Sequence, residues 1–201
     1  MDENLNDSDN SIIKEDCSTD NMQSTLLILL TGLSGAGKST IAVNLKHFLL
    51  NKNIKAYTLD GDHVRNGINK DLGFSPEDRS ESNRRVGEIS KLFIDEGIVV
   101  IASIIAPYKK DREVIKHIVA PNNYVEVFVN TSLETCEKRD DKGLYKKARA
   151  GEIENMTGIS SPYEIPINSD IEINENLSVN ESVELIFKVI ESKFAKRSGC
   201  V

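Results

Sequence analysis

The 201-residue chain has no tryptophan, and only three cysteines, five prolines and twelve glycines. So few cysteines exclude a disulfide scaffold. Cys17, Cys136 and Cys200 have no metal-ligand spacing and read as reduced thiols in a reducing compartment. Low glycine and proline exclude a collagen-like chain. No apolar run approaches the roughly 18–20 residues that span a bilayer, which excludes a membrane-spanning protein and a membrane partner. Basic residues are not in excess: 25 Lys and Arg stand against 32 Asp and Glu, for a net charge of −7. That balance argues against long nucleic acid, whose phosphates favour basic faces. Small anionic substrates stay open, because they need only a local cluster of donors. The opening Met1-Asp2-Glu3-Asn4 has neither a basic leader nor an apolar stretch after it, so the expected location is cytoplasmic.

The acidity is concentrated. Residues 1–25 carry seven acids against Lys14 alone, and the rest of the chain is close to neutral. Rich in Asp, Asn and Ser, residues 1–25 cannot offset their ordering entropy by burial, and are expected to form a disordered acidic tail. Residues 26–201 then make one domain, long enough for a core without staples.

Leu26 to Leu30 is wholly apolar, as a strand covered on both faces would be. Ile41, Ala42, Leu45, Phe48 and Leu49 follow at helical spacing. Ile54 to Leu59 reads as a second strand ending at Asp60, and Gly61 to Phe74 as a polar loop. Ser75 and Pro76 open a helix with Val86, Ile89, Leu92 and Phe93 on its apolar face, stopped at Gly97. Ile98 to Ile105 is a third strand. A helix over about Lys109 to Val119 turns Val114, Ile115, Ile118 and Val119 inward. Tyr124 to Val129 is a fourth strand, a helix from about Leu133 to Arg139 leads into the basic segment Lys142 to Arg149, and Asp170 to Ile173 is a short last strand. Ser178 and Glu181 form a capping box for the final helix. Strands alternating with helices predict an α/β fold, a mostly parallel sheet with helices on both faces in three layers.

The sharpest motif is Gly32-Leu33-Ser34-Gly35-Ala36-Gly37-Lys38-Ser39, between an apolar strand and an amphipathic helix. It fits the phosphate-binding G-x-x-x-x-G-K-[ST] loop in its required context. Glycines let successive N–H groups wrap phosphate oxygens, and the helix N-terminus beginning near Thr40 adds positive potential. Lys38 would put a point charge on the β- and γ-phosphates of ATP, and the Ser39 hydroxyl would ligate Mg²⁺. No base-reading N-K-x-D follows, which excludes a GTPase of the usual kind. The third strand ends without an acid, unlike that of a motor. The carboxylates sit at the end of the second strand, in Asp60-Gly61-Asp62, where one can orient a hydroxyl and accept its proton. That favours a small-molecule kinase, although an Asp-Gly pair alone also suits a plain turn.

Two longer stretches carry a resemblance. Asp60-Gly61-Asp62-His63-Val64-Arg65-Asn66-Gly67, running on to Phe74-Ser75-Pro76-Glu77-Asp78-Arg79, resembles the substrate segment of the adenylylsulfate kinases. So does Lys142-Gly143-Leu144-Tyr145-Lys146-Lys147-Ala148-Arg149, with Thr157-Gly158-Ile159 after it. The resemblance implies a P-loop kinase fold with a mobile basic lid, and transfer of the γ-phosphoryl group of MgATP to the 3′-hydroxyl of adenosine 5′-phosphosulfate (APS). It also implies a homodimer. By position, Asp60 would be the base or orienter, with Lys38 as the second catalytic group. Arg65 and Arg79 would hold the phosphosulfate, Phe74 would pack on adenine, Ile105 would line the pocket and Lys142 would reach in from the lid. Asp62, Ser82 and Met156 complete the implied substrate contacts.

Three positions depart from the family pattern. A serine long proposed as a phosphorylated intermediate is replaced in Ile105-Ala106-Pro107, so transfer is expected to be direct and in line. An asparagine is replaced by Ser82, with Asn83 following. An aromatic before Thr157-Gly158-Ile159 is replaced by Met156, which removes one stacking face. These changes leave open an alternative, a catalytically silent domain that binds nucleotide and regulates a partner.

Overall fold

The computed structural model describes residues 25–198. The expectations about the acidic tail before Thr25, about Cys17 and about Cys200 lie outside the described residues. Short apolar runs become strands and longer amphipathic ones become helices. In chain order these are β1 (Leu27–Thr31), α1 (Lys38–Asn51), β2 (Ala56–Asp60), α2 (Gly61–Asn66), α3 (Pro76–Asp95), β3 (Val99–Ser103), α4 (Lys109–Ile118), β4 (Tyr124–Asn130), α5 (Leu133–Arg139), α6 (Leu144–Arg149), β5 (Ile171–Asn174) and α7 (Val179–Ser198).

The strands lie in the order β2-β3-β1-β4-β5 and every pairing is parallel. All of β1 is buried, and its alternation splits the core in two. Leu27 and Leu29 meet Val86 and Ile94 of α3 and Ile115 of α4. Ile28 and Leu30 meet Ile41, Leu45 and Leu49 of α1 and Ile186 and Ile190 of α7. Each such side chain contributes about 1.5–3 kcal/mol on burial. The three-layer α/β fold read from the sequence is therefore the one observed. No helix among the described residues is long and apolar enough to cross a membrane.

The helix starts follow the caps. Ser75 Oγ accepts from Asp78 N at 3.1 Å. Ser178 N donates to Glu181 Oε2 at 2.8 Å, and Glu181 N donates back to Ser178 Oγ at 3.3 Å.

Several boundaries differ from the sequence reading. The expected loop after Asp60 begins as α2, because the Asp60 carboxylate accepts from Asp62 N at 3.0 Å and caps it. The basic segment contains α6, capped by Asp140, whose oxygens accept from Tyr145 N at 3.1 Å and Lys146 N at 3.0 Å. β3 stops at Ser103; Ile104 N still donates to Leu30 O at 3.2 Å, and the chain turns away after it. Leu92 and Val114, expected inside, are 68% and 43% exposed. Ile115 and Val119 are buried as expected, and on α4 Asp111 and Arg112 are buried beside Ile115, the two charged groups being tied by hydrogen bonds.

Candidate active site

In a parallel sheet the carboxyl ends of the strands open onto one edge, and ligands bind there. Here that edge forms a cleft of about 870 Å³. Its floor is the turn between β1 and α1. Gly35 and Gly37 adopt φ of +75° and +101°, and a Cβ on Gly32 would meet the Val129 carbonyl oxygen at 2.6 Å. These positions therefore require glycine. Three of the loop carbonyls are held by side chains from other elements. Tyr145 Oη donates to Ser34 O at 2.9 Å, Arg139 Nη1 to Gly35 O at 3.1 Å and Thr131 Oγ1 to Ala36 O at 3.0 Å. Gly37 caps α1 without a side chain, so the first-turn amides keep their donors for a ligand.

Lys38 is buried against this loop, its Nζ donating to Gly32 O at 3.0 Å and Leu33 O at 2.6 Å. Gly32 and Leu33 thus back the cradle rather than line it, while Ser34 through Thr40 face the cleft. Burial pushes the Lys38 pKa down to about 8, against the pull of Cys136, Asp60 and Asp62. A buried ammonium with so little direct compensation suits an anionic ligand.

Ser39 Oγ donates to Asp60 Oδ2 at 2.6 Å. Parallel pairing sets Asp60 beside Ser103, whose hydroxyl lies 3.2 Å from that of Ser39. Because the Ser39 hydroxyl donates its one hydrogen to Asp60, Ser103 is the donor of that second bond. These hard oxygens suit Mg²⁺, which takes one or two protein ligands and fills the rest of its shell from phosphates and water. No cage of three or more His, Cys, Asp or Glu occurs among the described residues.

The opposite end of the cleft is cationic. The Arg65 and Arg79 guanidiniums lie 4.4 and 5.5 Å from the centroid of the Phe74 ring. Arg65 Nη1 donates to Gly73 O at 2.7 Å, and Arg79 Nη2 to Asn155 O at 2.7 Å. Burial lowers the pKa of both arginines. Arg65 lowers that of Arg79 further, whereas Asp78 and Asp62 partly restore that of Arg65. Two arginines facing one recess suit an anionic ligand. Phe74 is 54% exposed and open to stacking.

Ser82 accepts from Asn69 Nδ2 at 2.8 Å, and Asn83 Nδ2 donates to Asp111 at 3.1 Å, so the asparagine amide turns toward α4. Met156 is buried at the cleft wall next to Asn155. Ile105 and Ala106 also line it, and Lys142 ion-pairs with Asp62 across its mouth. Every substrate-side residue singled out from the sequence thus borders one cleft. Sequence reasoning missed Ser103, Thr131, Arg139 and Tyr145. Only the sheet register and the return of α5 and α6 bring them to the loop, although Tyr145 lies within the basic segment and Arg139 just before it.

The comparisons agree with this geometry. The family profile described as adenylylsulphate kinase matches residues 24–174. The adenylyl-sulfate kinase of Staphylococcus epidermidis is 48% identical over 184 residues, covering 91% of this chain and 92% of that one. Adenylyl-sulfate kinase 3 of Arabidopsis thaliana is 53% identical over 151 residues, 75% of this chain and 73% of that one. A Mycobacterium tuberculosis APS kinase solved with AMPPNP and APS superimposes with a TM-score of 0.81 at 42% identity, covering 84% of this chain and 98% of that one.

Proposed function

This chain belongs to the adenylylsulphate kinase family, and on that premise we propose how its cleft works. It transfers the γ-phosphoryl group of ATP to the 3′-hydroxyl of APS, giving 3′-phosphoadenosine 5′-phosphosulfate, the activated sulfate donor. The observation that carries this reading is the Asp60 carboxylate, held 2.6 Å from Ser39 between the glycine loop and the arginine pair. MgATP, when bound, supplies the phosphoryl group and a cation that offsets charge on the phosphates.

The protein's own part is positioning and electrostatics. Loop amides and Lys38 would hold the donor phosphates, and Ser39 would offer its oxygen to Mg²⁺. Arg65 and Arg79 grip the phosphosulfate, Phe74 stacks on the acceptor adenine, and Asp62, Ser82, Ile105 and Met156 shape the acceptor pocket. Asp60 aligns the 3′-hydroxyl and accepts its proton as the new O–P bond forms and the β–γ bridge bond breaks. Transfer is direct, because Ala106 offers no nucleophile. The lid around Lys142, drawn toward Asp62, excludes water as a competing acceptor. The domain runs over residues 26–201 and assembles as a homodimer in the cytoplasm, where the free thiol of Cys136 stays reduced. Light scattering on the purified chain tests the dimer.

The functional test is turnover. Purified protein with MgATP and APS is expected to yield ADP and the 3′-phosphorylated nucleotide in equal amounts. Folded protein that binds ATP without forming product would instead favour a silent regulatory domain, the reading to which Ala106, Ser82 and Met156 lend weight. Phosphorylation of another small alcohol but not APS would favour a different acceptor.

A further inference from the structure

Three consecutive carbonyls beyond β3 each accept a hydrogen bond from a different part of the fold. Thr31 Oγ1, at the end of β1, donates to Ile105 O at 2.6 Å. Arg112 Nη1, in α4, donates to Ala106 O at 2.9 Å. The Glu164 amide donates to Pro107 O at 2.8 Å. At the centre of this stretch Ala106 sits at φ +41° and is 1% exposed. A residue with a Cβ occupies that region only when its surroundings over-determine it.

Arg112 holds the Ala106 carbonyl itself and ties it to two other parts of the fold. It is 3% exposed, its Nε pairs with Glu126 Oε1 at 3.1 Å, and its Nη2 donates to Glu164 O at 2.9 Å. One planar fork therefore joins the turn after β3, strand β4 and the segment that follows the lid. Glu164 is tied from both sides, since its carboxylate also accepts from Lys109 N at 2.6 Å at the start of α4. Thr31 is linked to the same segment through Tyr163, whose hydroxyl lies 2.8 Å from Oγ1. The Arg112 charge is answered by Glu126, and the side chain does not border the cleft. What does border it is the stretch that Arg112 holds, Ile104 to Pro107.

We propose that Arg112, assisted by Thr31, is a positioning residue for the acceptor nucleotide: by clamping Ala106 in its left-handed conformation it fixes the Ile105–Ala106 wall of the acceptor pocket. The inference rests on the reading of that wall as the acceptor side. The glycine loop, on the donor side, shares no hydrogen bond with Arg112, so the two substrates respond differently.

Steady-state kinetics test this. Arg112→Lys keeps the charge but cannot reach three partners at once. It is expected to raise the KM for APS roughly ten-fold, the scale of one charge-assisted hydrogen bond, with the KM for ATP changed less than two-fold. Thr31→Val is expected to move the APS KM in the same direction, and carries the test if Arg112→Lys does not fold. Ala106→Gly, which removes the need for a clamp, is expected to recover part of the Arg112→Lys defect. Unchanged KM values with a lowered melting temperature, or equal rises for both substrates, would overturn the proposal by reducing Arg112 to a core residue. A lack of recovery by Ala106→Gly would overturn the clamp. A wild type that binds ATP but never phosphorylates APS would remove the functional reading, and this inference with it.

Discussion

Asp60 does two jobs with two oxygens. Oδ1 caps α2 and Oδ2 accepts a hydrogen bond from the Ser39 hydroxyl, so the carboxylate is fixed in place with lone pairs to spare. Asp60→Asn keeps the size and one acceptor oxygen but cannot take a proton. It is expected to lower kcat by about 10²–10⁴, the range for loss of a general base, while calorimetric affinities for an ATP analogue and for APS stay within a few-fold. Met156 supplies a softer test. Restoring an aromatic with Met156→Phe is expected to tighten APS binding by about 1 kcal/mol, an aromatic-pair increment, measured by calorimetry. At this scale much was legible in the sequence. The glycine loop, Lys38 and Ser39 stand within one contiguous motif. Ser103 was not legible as their partner, because only the pairing of Asp60 with Ser103 across β2 and β3 brings it there. Arg112 and Asp111 were hidden for another reason: charged residues on an amphipathic helix ordinarily face water, and nothing local announces their buried partners.

The elements follow their end signals more closely than their interiors. Ser75 and Ser178 mark helix starts because their hydroxyls meet N–H groups that the helix leaves unpaired. Ser178→Ala is expected to cost about 1 kcal/mol, read as a lowered urea midpoint with an unchanged slope. Interior positions were less clear. Leu92 lies outside although its spacing fitted the buried face, and Ile94 takes the inner place.

α3 also holds the loop that follows α2. Arg85 donates to Ile68 O at 2.9 Å and to both oxygens of Asp71 at 2.8 and 2.9 Å, with Glu81 behind it at 2.9 Å. Hydrogen bonds from Arg84 and then Arg85 hold the Glu81 pKa down to about 2. A carboxyl group so depressed stabilises the fold fully above its unfolded value, near 4.3, and loses that effect as pH falls toward 2. The stability difference between wild type and Glu81→Gln is therefore expected to be constant from pH 6 down to about 5 and to shrink below that. Chemical denaturation at several pH values measures it, and a difference that grows on acidification would contradict the assignment.

At the scale of the whole molecule, the parallel sheet is what makes a bisubstrate site possible. Every strand ends at the same edge, so β1 delivers the glycine loop, β2 the carboxylate, β3 the stretch from Ile104 to Pro107 and β4 the threonine that pins the loop. α/β alternation was legible from the apolar runs, and so was the burial of β1 on both faces, whereas the strand order was not, because it depends on how the helices cross over the sheet. How α5, α6 and the segment around Asn155 fold back over that edge was not, because those contacts join residues far apart in sequence through single hydrogen bonds, such as Arg79 to Asn155 at 2.7 Å.

The central claim is spatial, and a crystal structure with a non-hydrolysable ATP analogue and APS bound together tests it most directly. The account predicts the triphosphate wrapped by residues 34–40 and the acceptor 3′-oxygen within about 3 Å of a carboxylate oxygen of Asp60. An acceptor ribose turned away from Asp60 while Arg65 and Arg79 hold its phosphosulfate would contradict it.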